Sequence, residues 1–547
     1  MKILIITGKL AYPLVKKLTN ESNEDVIIHV ADTQIAAFLT PNKVIKDVKK
    51  YYSDVLKDID MILVPGLMKK DSTEIAKALN IPTFKGSADA ADLSMVLNLI
   101  EELELSETKT ADKLIEDEKR KKAFEFIENF ENDSEKVLKL LKKPNNILIK
   151  DLAVGEDFPM RILGEIANAP SLSKEELIWK AQYFIDNGVD MIDIGMIAGE
   201  DMSSEIPNII STLRSVIGNR PLSIDTLNTK EIKIAVENDI DLVLSLDLGN
   251  YKEVLPILKE KNIPAVLLPT NFSESFIPHT PKERVLAMNK LVNACEGIDT
   301  IADMVLDPIN SSSIVDSIIA CREFRKTQDI PMFFGVGNVT ELLDTDSTGA
   351  NALLGGIAME LKTSVLFTPD ESGKTWNSVN ELAISSKMMF LAKHRDSIPK
   401  DLGLNLLIFK DKKKRQFEQI QEIQQINESD EEISENLDIQ TYNAEKELRF
   451  ILDPKGSFKI KVEHGTRYDK SKIVVTHFKK AKPDLAIQGQ DARKIYNELV
   501  ERGLVTRLEH AAYLGAELQK AEIAMITTKE YVQDFELFKK PLILNNK

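Results

Sequence analysis

The sequence predicts an α/β protein: a central (βα)8 barrel of the TIM type, flanked by a small N-terminal parallel α/β domain and a C-terminal α+β domain. Three observations carry this. The chain has 547 residues, which at about 150 residues per domain asks for three or four domains. Its composition, 43% hydrophobic and 29% charged, is that of a globular protein able to bury a large core. Between residues 158 and 397, short β-branched runs alternate eight times with amphipathic stretches, matching a (βα)8 barrel in count and length.

Residues 1–103 form the first domain. KILIIT (2–7), DVIIHV (25–30), DMILVP (60–65) and IPTFKG (81–86) alternate with helical patterns, as in a small parallel sheet covered by helices. The turns Thr7-Gly8-Lys9 and Pro65-Gly66 fall where such sheets place ligands. There is no GxGxxG, so the ordinary reading is glycines that close tight turns. Residues 104–157 read as a helical linker, because 104–149 is rich in Glu and Lys with helical periodicity and no strand signal.

In the barrel, 158–400, the strands are RILGEIAN (161–168), DMIDIG (190–195), RPLSID (220–225), DLVLSLD (241–247), IPAVLLP (263–269), TIADMVLD (300–307), IPMFFGVG (330–337) and TSVLFT (363–368). Helices fit between and after them at 173–187, 203–217, 228–238, 251–261, 281–297, 311–327, 349–361 and 374–395. The Gln-, Glu- and Ser-rich stretch that follows makes 401–447 a flexible linker. In the last domain, 448–547, strands are expected at 456–465 and 471–478 and helices at 491–503 and 507–525.

Composition also excludes functions. No apolar run approaches the ~18 residues of a membrane span. The opening MKILIIT reads as a β-strand rather than a signal peptide, which leads us to expect a cytoplasmic protein. A net charge of -16 argues against a nucleic-acid partner. His29, His279, His394, His464, His477 and His510 are scattered without HxH or HExxH spacing, and Cys295 and Cys321 sit in apolar helical contexts. Neither a protein-bound metal nor a disulfide framework is expected.

Chemistry in such a barrel comes from the C-terminal ends of the strands. There stand Asn168, Asp193, Asp225, Asp247, Asn271, Asp307 and Asn338, one Asn or Asp after nearly every strand. A single one is an ordinary helix N-cap; seven on one rim suit a ligand with adjacent N–H donors and a ring carbonyl. The 2-amino-4-oxo-pyrimidine edge of a pterin is such a ligand.

The motifs IDIG (192–195), PLSIDT (221–226) and VLDP (305–308), at these strand positions, resemble the pterin-binding domain family, which includes dihydropteroate synthase and corrinoid-dependent methyltetrahydrofolate methyltransferases. Over its whole length the chain resembles the archaeal dihydropteroate synthase-related proteins, which add an N-terminal and a C-terminal domain to that barrel. The resemblance implies a pterin site formed by Asn168 of NAPS, Asp225 of SIDT near the reactive side of the pterin, Asp247 of LSLD, and Asp307 on the pyrimidine edge, with Asp193 of IDIG among the binding residues. The Ser-Arg-Lys and Arg-x-His motifs of the synthases are missing. GVGN (335–338) instead resembles the GxSN of the methyltransferases, which implies that Asn338 assists protonation at pterin N5. Lys374, after a glycine at the start of the last barrel helix, is the substitute for holding a departing anion.

Three functions follow from the resemblance. The first is a dihydropteroate synthase-like transferase that joins a dihydropterin methyl carbon to an arylamine, in folate or methanopterin-type biosynthesis. The second is methyl transfer from an N5-methyl-tetrahydropterin to a corrinoid or other acceptor. The third is a pterin-binding module without turnover. Each takes a reduced pterin as substrate or cofactor; the first brings Mg2+ with its diphosphate substrate, the second implies a corrinoid protein as partner, and all are compatible with a homodimer.

Overall fold

The computed structural model describes residues 1–20, 24–88, 90–100, 103–410 and 451–538. They fall into two compact units, one built on Met1–Phe126 and the other on Ile127–Lys400 with the C-terminal domain. The expected flexible linker falls on 411–447 for most of its length, outside the described residues. Among the described residues no helix is long and apolar enough to cross a membrane.

In the first unit, β1 (Lys2–Thr7), β2 (Asp25–Val30), β3 (Met61–Val64) and β4 (Thr83–Lys85) form a parallel sheet in the order β2-β1-β3-β4. KILIIT is apolar throughout because both faces of β1 are buried. Leu4 and Ile6 pack with Val44, Val48 and Ile75 on one face, and Ile3 and Ile5 with Val15, Leu93 and Leu97 on the other. Gly8 and Gly66 are required by close backbone approach: a Cβ at Gly66 would lie 2.5 Å from the Ser87 backbone, and one at Gly8 2.9 Å from the amide of Ala36.

The expected helical linker is corrected at its end. Helices Ala111–Asn132 and Ser134–Leu140 are followed by an antiparallel hairpin of β5 (Asn146–Ile149) and β6 (Leu152–Gly155). The Lys150-Asp151 turn, with Lys150 at φ 54, lacks the Asn-Gly or Asp-Gly pair that flags a hairpin in sequence. Tertiary burial stabilises it instead. Ile147, Ile149 and Val154 join Leu163, Met191, Leu242 and Val365, from the N-terminal parts of the barrel strands, in one apolar cluster that closes that end.

The barrel is closed, parallel and sequential: β7 (Arg161–Ile166), β8 (Met191–Gly195), β9 (Leu222–Asp225), β10 (Leu242–Leu246), β11 (Ala265–Leu267), β12 (Thr300–Asp303), β13 (Met332–Gly335) and β14 (Val365–Thr368), with β14 pairing back onto β7. Strand parity divides its core. Ile162, Ile192, Ile194, Ile224, Val243 and Phe334 face the helices, whereas Leu163, Met191, Leu244, Val266, Ile301, Phe333 and Val365 fill the interior. By the same period of two, Glu165, Asp193, Asp225 and Asp303 point inward near the C-terminal end.

The C-terminal domain is a meander of β15 (Ser457–Glu463), β16 (Lys472–Lys479) and β17 (Lys482–Gly489), covered on one face by helices Ala492–Glu501 and Leu508–Ile526. Strand β17 is additional to the sequence reading. It is a half-exposed edge strand containing Pro483, which only an edge tolerates. Asn187 Nδ2 donates to the Thr466 carbonyl at 2.8 Å and Lys470 pairs with Asp186 at 2.5 Å, fastening this domain to the first barrel helix, Lys174–Asp186.

Candidate functional site

A cleft of about 270 Å³ opens at the C-terminal ends of β9 to β14. Leu244, Val266, Phe333 and Phe367 give it apolar walls, and Asp225, Thr270, Arg284, Asp303, Asp307 and Asn338 converge on it. A mostly apolar pocket with a few directed polar groups is what a small planar ligand requires.

The Asp307 side is built by a sharp exit from β12. The Asp303 carboxylate accepts the Val305 amide at 2.8 Å, and Val305 takes φ 62, which turns the chain toward the cleft. Arg284, on helix Pro281–Ala294 and only 4% exposed, braces that turn. Its Nη1 donates to the carbonyls of Met304 at 3.1 Å and Val305 at 2.6 Å, and its Nη2 to Asp307 Oδ2. Ser317 Oγ donates to the same Oδ2 at 3.0 Å. Asp307 Oδ1 has no protein partner among the described residues.

Across the barrel interior lies an acidic cluster. Glu165 on β7, Asp193 on β8 and Asp225 on β9 each bring a carboxylate oxygen within 4.8 Å of the others. Burial, then repulsion from Asp225, pushes Glu165 up to about 8, and burial pushes Asp225 up to about 6. Asp193 is driven well above the usual carboxylate range by the same two causes, opposed by the bond it accepts from Ser223 Oγ. Gly195 makes room for this arrangement: a Cβ there would lie 2.2 Å from Glu165 Oε1. Burial raises Asp303 to about 7.

Of the residues expected from sequence, Asp225, Asp307 and Asn338 come together at the cleft, and Asp193 lies in the cluster beside Asp225. Asn338 lies in a short turn of helix, Gly337–Thr340, at the lip, exposed, with Nδ2 3.3 Å from the Leu306 carbonyl. Three others stand elsewhere. Asn168 is exposed in the left-handed region at φ 49, off the cleft lining. Asp247 is buried and engaged by backbone: Oδ1 accepts the amides of Gly249 at 2.8 Å and Asn250 at 2.9 Å, and Oδ2 that of Phe272 at 2.8 Å. It shapes loops rather than facing a ligand. Lys374 is held by Asp344 at 3.1 Å, away from the lining residues.

Glu165, Asp303 and Arg284 went unnoticed in the sequence. The signal for the two carboxylates was strand parity, since each sits two residues after an interior apolar position, Leu163 and Ile301. Arg284 carried no such signal, because an Arg in an amphipathic helix reads as surface. The loop after β14, where Lys374 lies, is organised by Asp370. Its carboxylate takes the Tyr183 hydroxyl at 3.1 Å and the amides of Asn377 at 3.1 Å and Val379 at 3.2 Å, while burial lifts it to about 7.

Comparison with known proteins adds the following. A family model described as pterin binding enzyme matches residues 167–344, and a second, PterinBD-DUF4346, matches 452–534. An uncharacterized protein of Methanocaldococcus jannaschii is 42% identical over 550 aligned residues, covering 98% of this chain and 99% of that one. Among solved structures, the dihydropteroate synthase of Xanthomonas albilineans aligns at 16% identity over 45% of this chain and 96% of its own, with a TM-score of 0.36. That of Thermus thermophilus aligns at 13% identity over 44% and 97%, also with a TM-score of 0.36.

Proposed function

This chain belongs to the pterin-binding enzyme family, and on that premise we propose that its cleft binds a reduced pterin and that the protein is a transferase acting on it. The observation that carries this is Asp307, a cleft-lining residue with one oxygen fixed by Arg284 and Ser317 and the other without a protein partner among the described residues. A carboxylate so held accepts the N–H donors of a 2-amino-4-oxo-pyrimidine edge, and Phe333, Phe367 and Val266 supply apolar surface for the ring.

Between the two reactions that the family performs, the charge of the cleft supports methyl transfer from an N5-methyl-tetrahydropterin. Asp225, Asp303 and Asp307 line it, the lining guanidinium of Arg284 is engaged by Asp307, and Lys374 is held by Asp344. With no cation bound, such a surface opposes a diphosphate leaving group, whereas a methyl group carries no charge to repel. Asn338 at the lip suits a donor to the pterin ring as the methyl departs.

The test is to incubate the full chain with a methyl-tetrahydropterin and a corrinoid protein, and separately with a dihydropterin diphosphate and an arylamine. Demethylation of the pterin is the expected result. Consumption of the diphosphate would establish the synthase-like condensation instead, and pterin binding without either reaction a non-catalytic module.

A further inference from the structure

We propose that Glu165, Asp193 and Asp225 form a binding site for one hard divalent cation of the Mg2+ or Mn2+ class. The site shares Asp225 with the cleft, but its argument does not rest on the pterin reading. Three neighbouring strands present one carboxylate each to the barrel interior, with oxygens no more than 4.8 Å apart. Oxygens at such separations straddle a cation whose metal–oxygen distances are roughly 2.0–2.6 Å.

An acidic cluster alone would be weak grounds, and a second observation points to a ligand. Asp193 is 0% exposed, and its Oδ2 has no hydrogen-bond partner among the described residues. A buried, unpaired carboxylate oxygen is costly and uncommon, and here it belongs to a side chain facing two further carboxylates. None of the three is ion-paired among the described residues. Lys180, the cation whose charge bears on Glu165, is itself bonded to the Asp370 carbonyl at 3.0 Å and to Glu371 at 3.2 Å. Gly195 completes the cradle, since any side chain there would displace Glu165.

The donor set decides the class of ion. All ligands are carboxylate oxygens, with no imidazole or thiolate, which suits Mg2+, Mn2+ or Ca2+ over zinc or copper. Histidine and cysteine spacing, the basis for expecting no protein-bound metal, does not report on such a site. Asp225 also lines the cleft, giving the ion a route in.

The experiment is a titration of the full chain with Mn2+, followed by electron paramagnetic resonance and calorimetry, in the wild type and in Glu165→Gln and Asp193→Asn. We expect one saturable Mn2+ per chain, competed by Mg2+, and a loss of affinity in each variant of at least the roughly tenfold that even an outer partner is worth. Without metal both variants should melt close to the wild type, since each replaces a buried carboxyl by a near-isosteric amide; added Mn2+ should raise the melting temperature of the wild type alone. Absence of saturable binding, or equal binding in wild type and Glu165→Gln, overturns the site. Should Asp193→Asn fail to fold, Glu165→Gln decides it alone.

Discussion

Arg284 holds Asp307 by one oxygen, and the other has no protein partner among the described residues in a side chain that lines the cleft. Replacing Asp307 with Ala should strand the ligand's N–H donors in a desolvated pocket, at about 2–3 kcal/mol of binding. Reduced-pterin affinity, measured by calorimetric titration, should fall by about one and a half to two orders of magnitude. Unchanged affinity would remove the pterin assignment.

Arg284 itself is a positioning residue, and its loss should be felt in two measurements. Arg284→Met leaves Asp307 without its buried cation and uncovers the carbonyls of Met304 and Val305, which by the magnitude for broken buried pairs destabilises by about 3–5 kcal/mol. Denaturant titration should show that loss and calorimetry a weaker pterin. The effects of Arg284→Met and Asp307→Ala on affinity should be non-additive, because both act through one carboxylate. Additivity would mean that Arg284 does not position Asp307.

Gly195 supplies a steric test. Gly195→Ala places a methyl 2.2 Å from Glu165 Oε1, so the Glu165 side chain must swing out of its place and stability should drop by about 1 kcal/mol, the low end for overpacking. Shortening the opposing side chain in Gly195→Ala/Glu165→Ala should recover most of it in thermal melts. No recovery would show that the glycine is needed for its backbone rather than for room.

The glycine of IDIG was legible in the sequence as a motif, but its reason was not, because its partner lies on β7, one strand away. The same limit runs through the site. The eight strand-helix pairs were visible because each repeats a local period, and local periods fix which side chains point inward. What a carboxylate does once there depends on non-local neighbours. Asp247 and Asp307 both follow barrel strands, yet one is consumed by three backbone amides of its own loops and the other is bound on one oxygen only. Attention to the rim also concealed Glu165 and Asp303, which stand within their strands. The β5–β6 hairpin escaped for a related reason, as its stability lies in the interior it plugs.

Stability should depend on pH through Asp370, whose carboxyl burial raises from about 3.8 to about 7. Between those values the folded chain binds a proton that the unfolded chain has released. The contribution is therefore fully present below about 4 and is lost as pH rises through 7, at up to about 1.4 kcal/mol per unit. Asp370→Asn cannot ionise, so its melting temperature should gain on that of the wild type as pH climbs from 4 to 8. A constant difference across that range would show that Asp370 is ionised throughout.

The last expectation separates binding from chemistry at Asn338. Its side chain is exposed at the lip of the cleft and makes one long bond, Nδ2 to the Leu306 carbonyl at 3.3 Å, so Asn338→Ala should leave the melting temperature nearly unchanged. Affinity for a reduced pterin should also change little, because the pyrimidine edge is taken by Asp307. Under methyl transfer, however, the bond from ring nitrogen to methyl breaks as the nitrogen regains its lone pair, and a donor there matters mainly in the transition state. Turnover should therefore fall by roughly 10²-fold or more with the Michaelis constant barely moved. Condensation at the exocyclic carbon makes no such demand on N5, so the same variant would turn over almost normally. Steady-state kinetics of Asn338→Ala with each substrate pair, beside calorimetry with the pterin alone, distinguishes the two: a large fall in kcat supports methyl transfer, and an unaltered kcat removes Asn338 from the chemistry.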